Sequence, residues 1–292
     1  MCGFLVVEKD QDFEQIFLSN VDELSKKLTH RGPDAYRSNE IGKELFMSFN
    51  RLAIIDLSSR GHQPFRNKEQ SLHLVCNGEI YNEPSLRPPL SYDFHSQSDC
   101  EVLLPLYQQY GLEKMVSLID GEYAFVLYDE KTKRLMAARD PIGIRPLFYG
   151  TLESGHMAFA SEAKALLDLC AEVKPFPPGH FFDGKTFKKF WQGTNPKKFH
   201  PVSYEETLQN INHLLTKAVE KRLRSDAPLG FLLSGGLDSS LVCSIAARIK
   251  DTPIRTFSIG MESDAIDLKY AKEVAEFLGT DHTEVIISKK DV

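Results

Sequence analysis

The order of strand-like and helix-like segments changes character near residue 190, and this change constrains the fold more than any single residue. Beyond it, the apolar runs "LGFLL", "RTFSIG" and "TEVIIS" alternate with the helix-like stretches "SLVCSIAARI" and "DLKYAKEVAEFLG". Strands that alternate with helices of this length build βαβ units and hence a parallel sheet. A long helix precedes them, opened by a capping box of Ser203 and Glu206 and striped with Leu208, Ile211, Leu214, Leu215, Ala218 and Val219. Three parallel strands make a poor core, because such sheets need cover on both faces. The strand "TEVIIS" is therefore expected to leave an apolar edge exposed.

Before the junction, short strands are separated by turn signals: "ELFMSF", "RLAIIDL", "LHLVC", "YAFVLYD" and "RLMAAR". One helix is expected within "DFEQIFLSNVDELSKKL", where Phe13, Ile16, Phe17, Val21, Leu24 and Leu28 recur at helical spacing. A second is expected at "SDCEVLLPLYQQYG", with Ser98 and Glu101 as a capping box, Gly111 past its end and a kink at Pro105. Residues 174–202 are rich in Pro, Gly and Lys and read as a junction between domains at 1–190 and 203–292.

A length of 292 residues suits two domains. With 42% hydrophobic and 26% charged residues the composition is that of a soluble globular protein, and a net charge of -6 gives no general attraction to nucleic acid. Five cysteines form no CxxC pair, which fits a reducing compartment, and no histidine pair has zinc-ligand spacing. The apolar run "FLVV" is too short for a signal sequence, and no stretch is long enough to span a membrane. These features point to a cytoplasmic enzyme or binding protein.

Four local features carry a structural and a chemical reading side by side. Cys2 is a small apolar residue before a strand, or a nucleophile: removal of Met1 would leave its thiol and a free α-amino group on one residue. Asn77-Gly78 is a hairpin turn signal, yet an Asn amide and a Gly N–H are also what an oxyanion hole needs. Arg51 is a surface charge or a bidentate carboxylate clamp. "SGGLDSS", after a strand and opening a helix, is a common glycine turn or an anion cradle of backbone N–H groups at a helix N-terminus.

"MCGF", "HRGPDAYR", "NRLAIIDL", "GHQPF", "NGEIYN", "SDCEVL", "DGEYAFVLYD", "ARDPIGIRPLFYG" and "SEAKAL" occur in this order. Together they resemble the glutaminase domain of class II glutamine amidotransferases, N-terminal-nucleophile hydrolases of α+β fold with layered sheets and helices. The resemblance implies Cys2 as nucleophile toward glutamine and Asn77 and Gly78 as oxyanion donors. It also implies Arg51 on the α-carboxylate and Asp99 on the α-ammonium, with Leu52, Ile54 and Glu79 as further glutamine contacts. "SGGLDSS" is similar to the PP-loop of ATP pyrophosphatases, an α/β fold that would be incomplete here. That likeness implies ATP contacts at Leu233, Ser234, Gly235, Gly236, Asp238, Ser239, Ser240 and Ile259, with Asp238 holding Mg²⁺.

A class II glutaminase joined to such a loop resembles the glutamine-hydrolysing asparagine synthetase family. Glutamine, aspartate and ATP are then the implied substrates, with no nucleic-acid or membrane partner. The family pattern continues past residue 292, so the chain is expected to be a piece of a longer protein, a glutaminase by itself, working as a homodimer or with a complementing C-terminal half. The segment "MESDAIDL" departs from the family by one extra residue and a missing Pro, leaving Asp267 as its acidic position. Two alternatives stay open: a fragment that binds glutamine or nucleotide without turnover, and an amidotransferase for an acceptor other than aspartate.

Overall fold

The computed structural model describes residues 1–9, 16–193, 202–261, 266–288, 290 and 291. It divides into two compact units, Met1–Lys197 and Lys198–Val292, and the division falls inside the Pro-, Gly- and Lys-rich junction. The first unit runs β1 (Gly3–Glu8), α1 (Ile16–Lys26), β2 (Ala35–Ile41), β3 (Leu45–Arg51), β4 (Phe65–Arg66), β5 (Leu72–Ile80), α2 (Glu83–Leu86) and α3 (Leu103–Leu118). It continues with β6 (Gly121–Asp129), β7 (Arg134–Arg139), β8 (Phe148–Thr151), β9 (Met157–Ala160), β10 (Val173–Pro175), β11 (His180–Phe182) and β12 (Phe187–Lys189).

These strands form two antiparallel sheets, ordered β10-β8-β9-β1-β3-β2 and β12-β11-β7-β6-β5-β4. Side chains alternate along a strand, and that alternation builds the layers. Phe4 and Val6 of β1 join Met47 and Phe49 of β3 against Val75, Ala124, Val126 and Ala137 of the other sheet. Leu5 and Val7 point the opposite way, onto Val21, Leu24 and Leu28 on and just past α1. On the far side of the second sheet, Leu74, Cys76, Tyr123, Phe125 and Leu127 meet Leu103, Leu104, Leu106 and Met115 of α3. The result is a helix–sheet–sheet–helix sandwich. Both faces of its central strands are covered, which is why "FLVV" and "LFMSF" read as unbroken apolar runs.

Several local expectations need correction. "RLAIIDL" leaves the sheet after Arg51 and becomes a loop, turned by Asp56 at φ 58. Asn77-Gly78 is no hairpin turn: β5 continues through both to Ile80, paired with β6 as Asn77↔Ala124 and Gly78↔Tyr123. The second helix begins as a 3-10 turn, Asp99–Val102, and Ser98 makes no side-chain cap. Its expected partner Glu101 instead accepts from the His95 amide at 2.8 Å and the Ser96 amide at 2.7 Å. Pro105 falls in the first turn of α3, where amides have no intrahelical acceptor, so the break comes at Gly111, with φ 73. Phe13 lies outside the described residues.

The second unit runs α4 (Tyr204–Arg222), β13 (Gly230–Leu232), α5 (Leu237–Ile249), β14 (Arg255–Met261), α6 (Ile266–Leu278) and β15 (Asp281–Ile287). Its three strands are parallel in the order β13-β14-β15, with Gly230 opposite Arg255 and Ile259 opposite Val285. The Ser203 hydroxyl caps α4 by accepting from the Glu206 amide at 3.1 Å. Val219, Leu223, Leu233, Cys243, Ala246 and Ala271 pack as the core, with Leu215 against them. The first half of the α4 stripe does not join it, since Leu208, Ile211 and Leu214 are 49%, 56% and 66% exposed. Val285 and Ile286 on β15, which pairs with β14 alone among the described residues, are also exposed. Residues 262–265 of "MESDAIDL" lie outside the described residues, and Asp267 stands in the first turn of α6. Among the described residues no helix is long and apolar enough to cross a membrane.

Candidate active site

The same alternation that builds the sandwich aims the first site. Cys2 lies two residues before Phe4 and Asn77 two after Val75, so both side chains follow the faces that look into the gap between the sheets. At that end the sandwich opens into a cavity lined by Cys2, Asn77 and Gly78, and by Arg51, Leu52, Ile54, Glu79 and Asp99. Every residue expected for glutamine chemistry thus meets in one place.

Cys2 is fixed from two sides. Its thiol donates to the Leu52 carbonyl at 3.4 Å and accepts from the Leu52 amide at 3.3 Å. Its own carbonyl takes a bond from Arg31 Nε at 2.9 Å. Burial pushes the thiol pKa up, opposed by the Leu52 amide and the nearby N-terminal charge. Burial also pulls the Met1 α-amine down. Both shifts share one cause, burial at the cavity wall, and each favours the neutral form of its group.

Asn77 Nδ2 is buried and has no hydrogen-bond partner, although it lines the cavity. An unmet buried donor costs free energy, so its position calls for a partner that arrives with a ligand. In an antiparallel ladder alternate residues turn their N–H and C=O groups to opposite edges. Tyr81 N donates to Asp120 O at 2.8 Å, continuing the β6 side through odd residues, while Asn67 N donates to Leu72 O at 3.3 Å on the β4 side. Gly78 therefore turns its amide toward the edge that β4 has already left. A Cβ there would lie 2.4 Å from Glu122 O, so the position admits only glycine.

Arg51 is 5% exposed and is already committed to carbonyls. It donates to Ser58 O at 2.7 Å, Ile55 O at 3.3 Å and the Asp56 carbonyl, tying down the 52–58 loop that carries Leu52 and Ile54. Asp99 accepts from the Ile80 amide at 2.5 Å, locking the turn before α3 to β5.

Three lining residues had no assigned role in the sequence reading. A Cβ on Gly61 would meet Arg51 Nη2 at 2.2 Å, so this glycine makes room for the guanidinium. Gln63 bonds the Cys76 backbone. Arg145 reaches Glu79 at 3.3 Å and Glu122 at 3.5 Å, on a loop whose Ile142, Gly143, Ile144 and Arg145 amides all converge on the Asp140 carboxylate. The signal was available, since all three sit in motifs, "GHQPF" and "ARDPIGIRPLFYG", with no turn or core reason for those residue types.

In the second unit, Leu233 donates from its amide to Phe257 O at 2.8 Å and buries its side chain, so only its backbone faces the loop. Gly235 takes φ +78, and a Cβ there would lie 2.5 Å from the Tyr270 backbone. Gly236 caps α5 with no side-chain bond, leaving first-turn amides open beside Asp238. Ser239 Oγ accepts from the Ser234 amide at 3.2 Å and donates to Gly236 O at 3.2 Å, closing the loop, while Ser240 Oγ is buried without a partner. Ile259 is exposed on β14. Open amides, unmet hydroxyl and helix N-terminus fit a polyphosphate. Among the described residues no group of three His, Cys, Asp or Glu side chains is placed to hold a metal alone. One carboxylate is nevertheless the donor set Mg²⁺ uses when phosphates supply the rest.

A sandwich of two antiparallel sheets between helices, with a cysteine at the head of a central strand facing the cavity, defines an N-terminal-nucleophile hydrolase domain. The chain belongs to the glutamine amidotransferase family: the family model described as a glutamine amidotransferase domain matches residues 1–189. A second model, asparagine synthase, matches residues 210–292. Asparagine synthetase [glutamine-hydrolyzing] 3 of Arabidopsis thaliana is 41% identical over 308 residues, covering 100% of this chain and 52% of that protein. A probable asparagine synthetase [glutamine-hydrolyzing] of Acanthamoeba polyphaga mimivirus is 42% identical over 293 residues, covering 91% and 53%. The chain spans about half the length of the curated relatives it matches. Among solved structures, the glutamine phosphoribosylpyrophosphate amidotransferase of B. subtilis, complexed with ADP and GMP, aligns at TM-score 0.52 with 17% identity, covering 97% of this chain and 65% of that one. At that identity the likeness concerns fold alone.

Proposed function

We propose that the first unit hydrolyses glutamine at Cys2, and that the second contributes a phosphate loop to ATP-dependent asparagine synthesis. The observation that carries the proposal is the unpartnered, buried Asn77 Nδ2 in the same cavity as the thiol of Cys2. Once Met1 is removed, the α-amine belongs to Cys2 itself. Free thiols and α-amines have pKa values of about 8.5 and about 7.7–8.0, so proton transfer between them is nearly balanced. The sulfur attacks the side-chain amide carbon of glutamine, and the oxyanion is met by Asn77 Nδ2–H and the Gly78 amide. Collapse expels ammonia, which carries the transferred proton, and leaves a glutamyl thioester that water cleaves to glutamate. Asp99 takes the substrate α-ammonium, Glu79 lines its approach, and Arg51 shapes the carboxylate end.

In the second unit the open first-turn amides of α5, with Ser240 Oγ, would receive the ATP phosphates. Mg²⁺, when bound, would neutralise phosphate charge, held by Asp238. The acceptor consistent with the relatives is aspartate, activated at its β-carboxylate as the adenylate and then captured by ammonia. The setting is cytoplasmic, and the partner is a second copy or a complementing C-terminal half. The test is glutamate release from glutamine without ATP, by the chain and by Cys2→Ala, with intact mass to establish loss of Met1. Release by the first alone supports the glutaminase; release by neither or by both rejects it. Asparagine formation on adding aspartate, ATP and the C-terminal half of a relative tests the acceptor.

A further inference from the structure

We infer that Gln63 is a positioning residue for the oxyanion hole, its side-chain amide standing in for the backbone of a missing strand; this rests on the glutaminase reading above. Strand β4 covers only Phe65–Arg66, paired as Phe65↔Leu74 and Arg66↔His73. Continuing that register by two residues sets position 63 opposite Cys76. There the backbone pairing has already ended, since β4 covers no residue before Phe65. Gln63, 5% exposed, fills the slot with its side chain. The Cys76 amide donates to Gln63 Oε1 at 2.6 Å, and Gln63 Nε2 donates to the Cys76 carbonyl at 3.1 Å. The two bonds fix the orientation of the amide, because a flipped one would set donor against donor and acceptor against acceptor.

Cys76 is the residue before Asn77 and two before Gly78, so its peptide groups set the pitch at which both oxyanion donors are presented. The Gly78 amide, on the same edge one step on, has no Gln63 opposite it and stays open to the cavity. Gln63 also lines that cavity, beside the residues it orders. A side-chain surrogate thus ends the pairing at the last residue before the donors: a continuing strand would occupy the Gly78 amide, and no surrogate would leave β5 loose.

A donor that matters only to the tetrahedral state should affect kcat and spare KM. Gln63→Met keeps length and apolar volume and removes both bonds. Its kcat for glutamate release is expected to fall at least about tenfold, with KM within about twofold and a native circular dichroism spectrum. The aldehyde analogue of glutamine, whose carbonyl carbon bonds Cys2 sulfur while the thiol proton moves to the oxygen, should lose affinity in proportion, whereas glutamate binds as before. Gln63→Glu gives a pH signature that simple destabilisation does not. Ionised, its carboxylate repels the Cys76 carbonyl; protonated, it accepts and donates as the amide did. Its activity relative to the unmodified chain should therefore rise as pH falls from about 8 to about 6, burial having raised the carboxyl pKa. A native Gln63→Met with unchanged kcat, or a flat ratio for Gln63→Glu, overturns this inference and leaves the glutaminase standing. Should Gln63→Met fail to fold, the Gln63→Glu ratio decides. No glutamate release by the Met1-processed, unmodified chain overturns both.

Discussion

In the first unit the cavity draws on the two residues ahead of β1, the end of β3, the 52–58 loop, β5 and the turn before α3, segments brought together only by two stacked sheets. In the second unit the phosphate loop comes from one run, residues 233–240, with remote contacts in the Leu233 amide on Phe257 O and Gly235 against Tyr270. A distributed site inherits the precision of its core, with buried polar groups tied to backbone at every step. A local one is shaped by its own dihedral angles and needs little from afar. The two should therefore fail separately and for different reasons.

The sharpest separation comes from the nucleophile. Cys2→Ala should lower glutamate release by on the order of 10⁴-fold or more while leaving ATP binding by the second unit unchanged. Parallel loss of both, by turnover and by a fluorescent ATP analogue, would break the comparison. Next is Asn77→Ala, expected to cost about 10²–10³-fold in kcat at similar KM, because the donor serves a charge present only in the tetrahedral state. A matching rise in KM would reassign Asn77 to ground-state binding. In the opposite direction, Gly235→Ala meets the Tyr270 backbone and a left-handed φ, and should destabilise the second unit by about 1–3 kcal/mol with glutaminase turnover intact. Two-probe thermal melts would show whether only one transition moves.

The smallest effect concerns acid. Burial would raise the Glu162 carboxyl, but Lys164, Arg31 and His30 outweigh it and bring it to about 2, from an ordinary 4.5. A depressed carboxylate contributes stability that is complete above the unfolded value and is lost as pH falls from there through about 2. Arg31 links this pair to the Cys2 carbonyl, at 3.0 Å to Glu162 and 2.9 Å to Cys2. Glu162→Gln should cost about 0.5–1 kcal/mol at neutral pH and flatten the acid limb of the first unit's stability curve. An unaltered acid limb would remove Glu162 from the support of Cys2.

What the sequence made legible follows the same division. The strand–loop–helix order of the second unit, and the ring of residues around the first cavity, could be read because motif strings carry them. What escaped was set by long-range pairing. "CNGEIYN" looked like a strand followed by a turn, since an Asn-Gly pair usually turns; pairing with β6 carries the strand on, and the crowding around Gly78 supplies another reason for its glycine. Ser98 and Glu101 had the spacing of a cap, yet Glu101 is taken by the amides of His95 and Ser96. "RLAIIDL" had a strand's composition, but Arg51 pulls its carbonyls into a loop. The α4 stripe had helical periodicity, which establishes a helix and a face but not what covers that face.

Met1 lines the cavity and its amine is drawn partly out of solvent, so the start of the polypeptide is part of the wall of the chamber. That has a practical side for anyone producing the protein. An affinity tag fused ahead of Met1 would plug the chamber and withhold the amine together, and such a preparation would look correctly folded and inert. Handles belong at the C-terminal end, and intact mass should be checked before any inactive batch is blamed on its sequence.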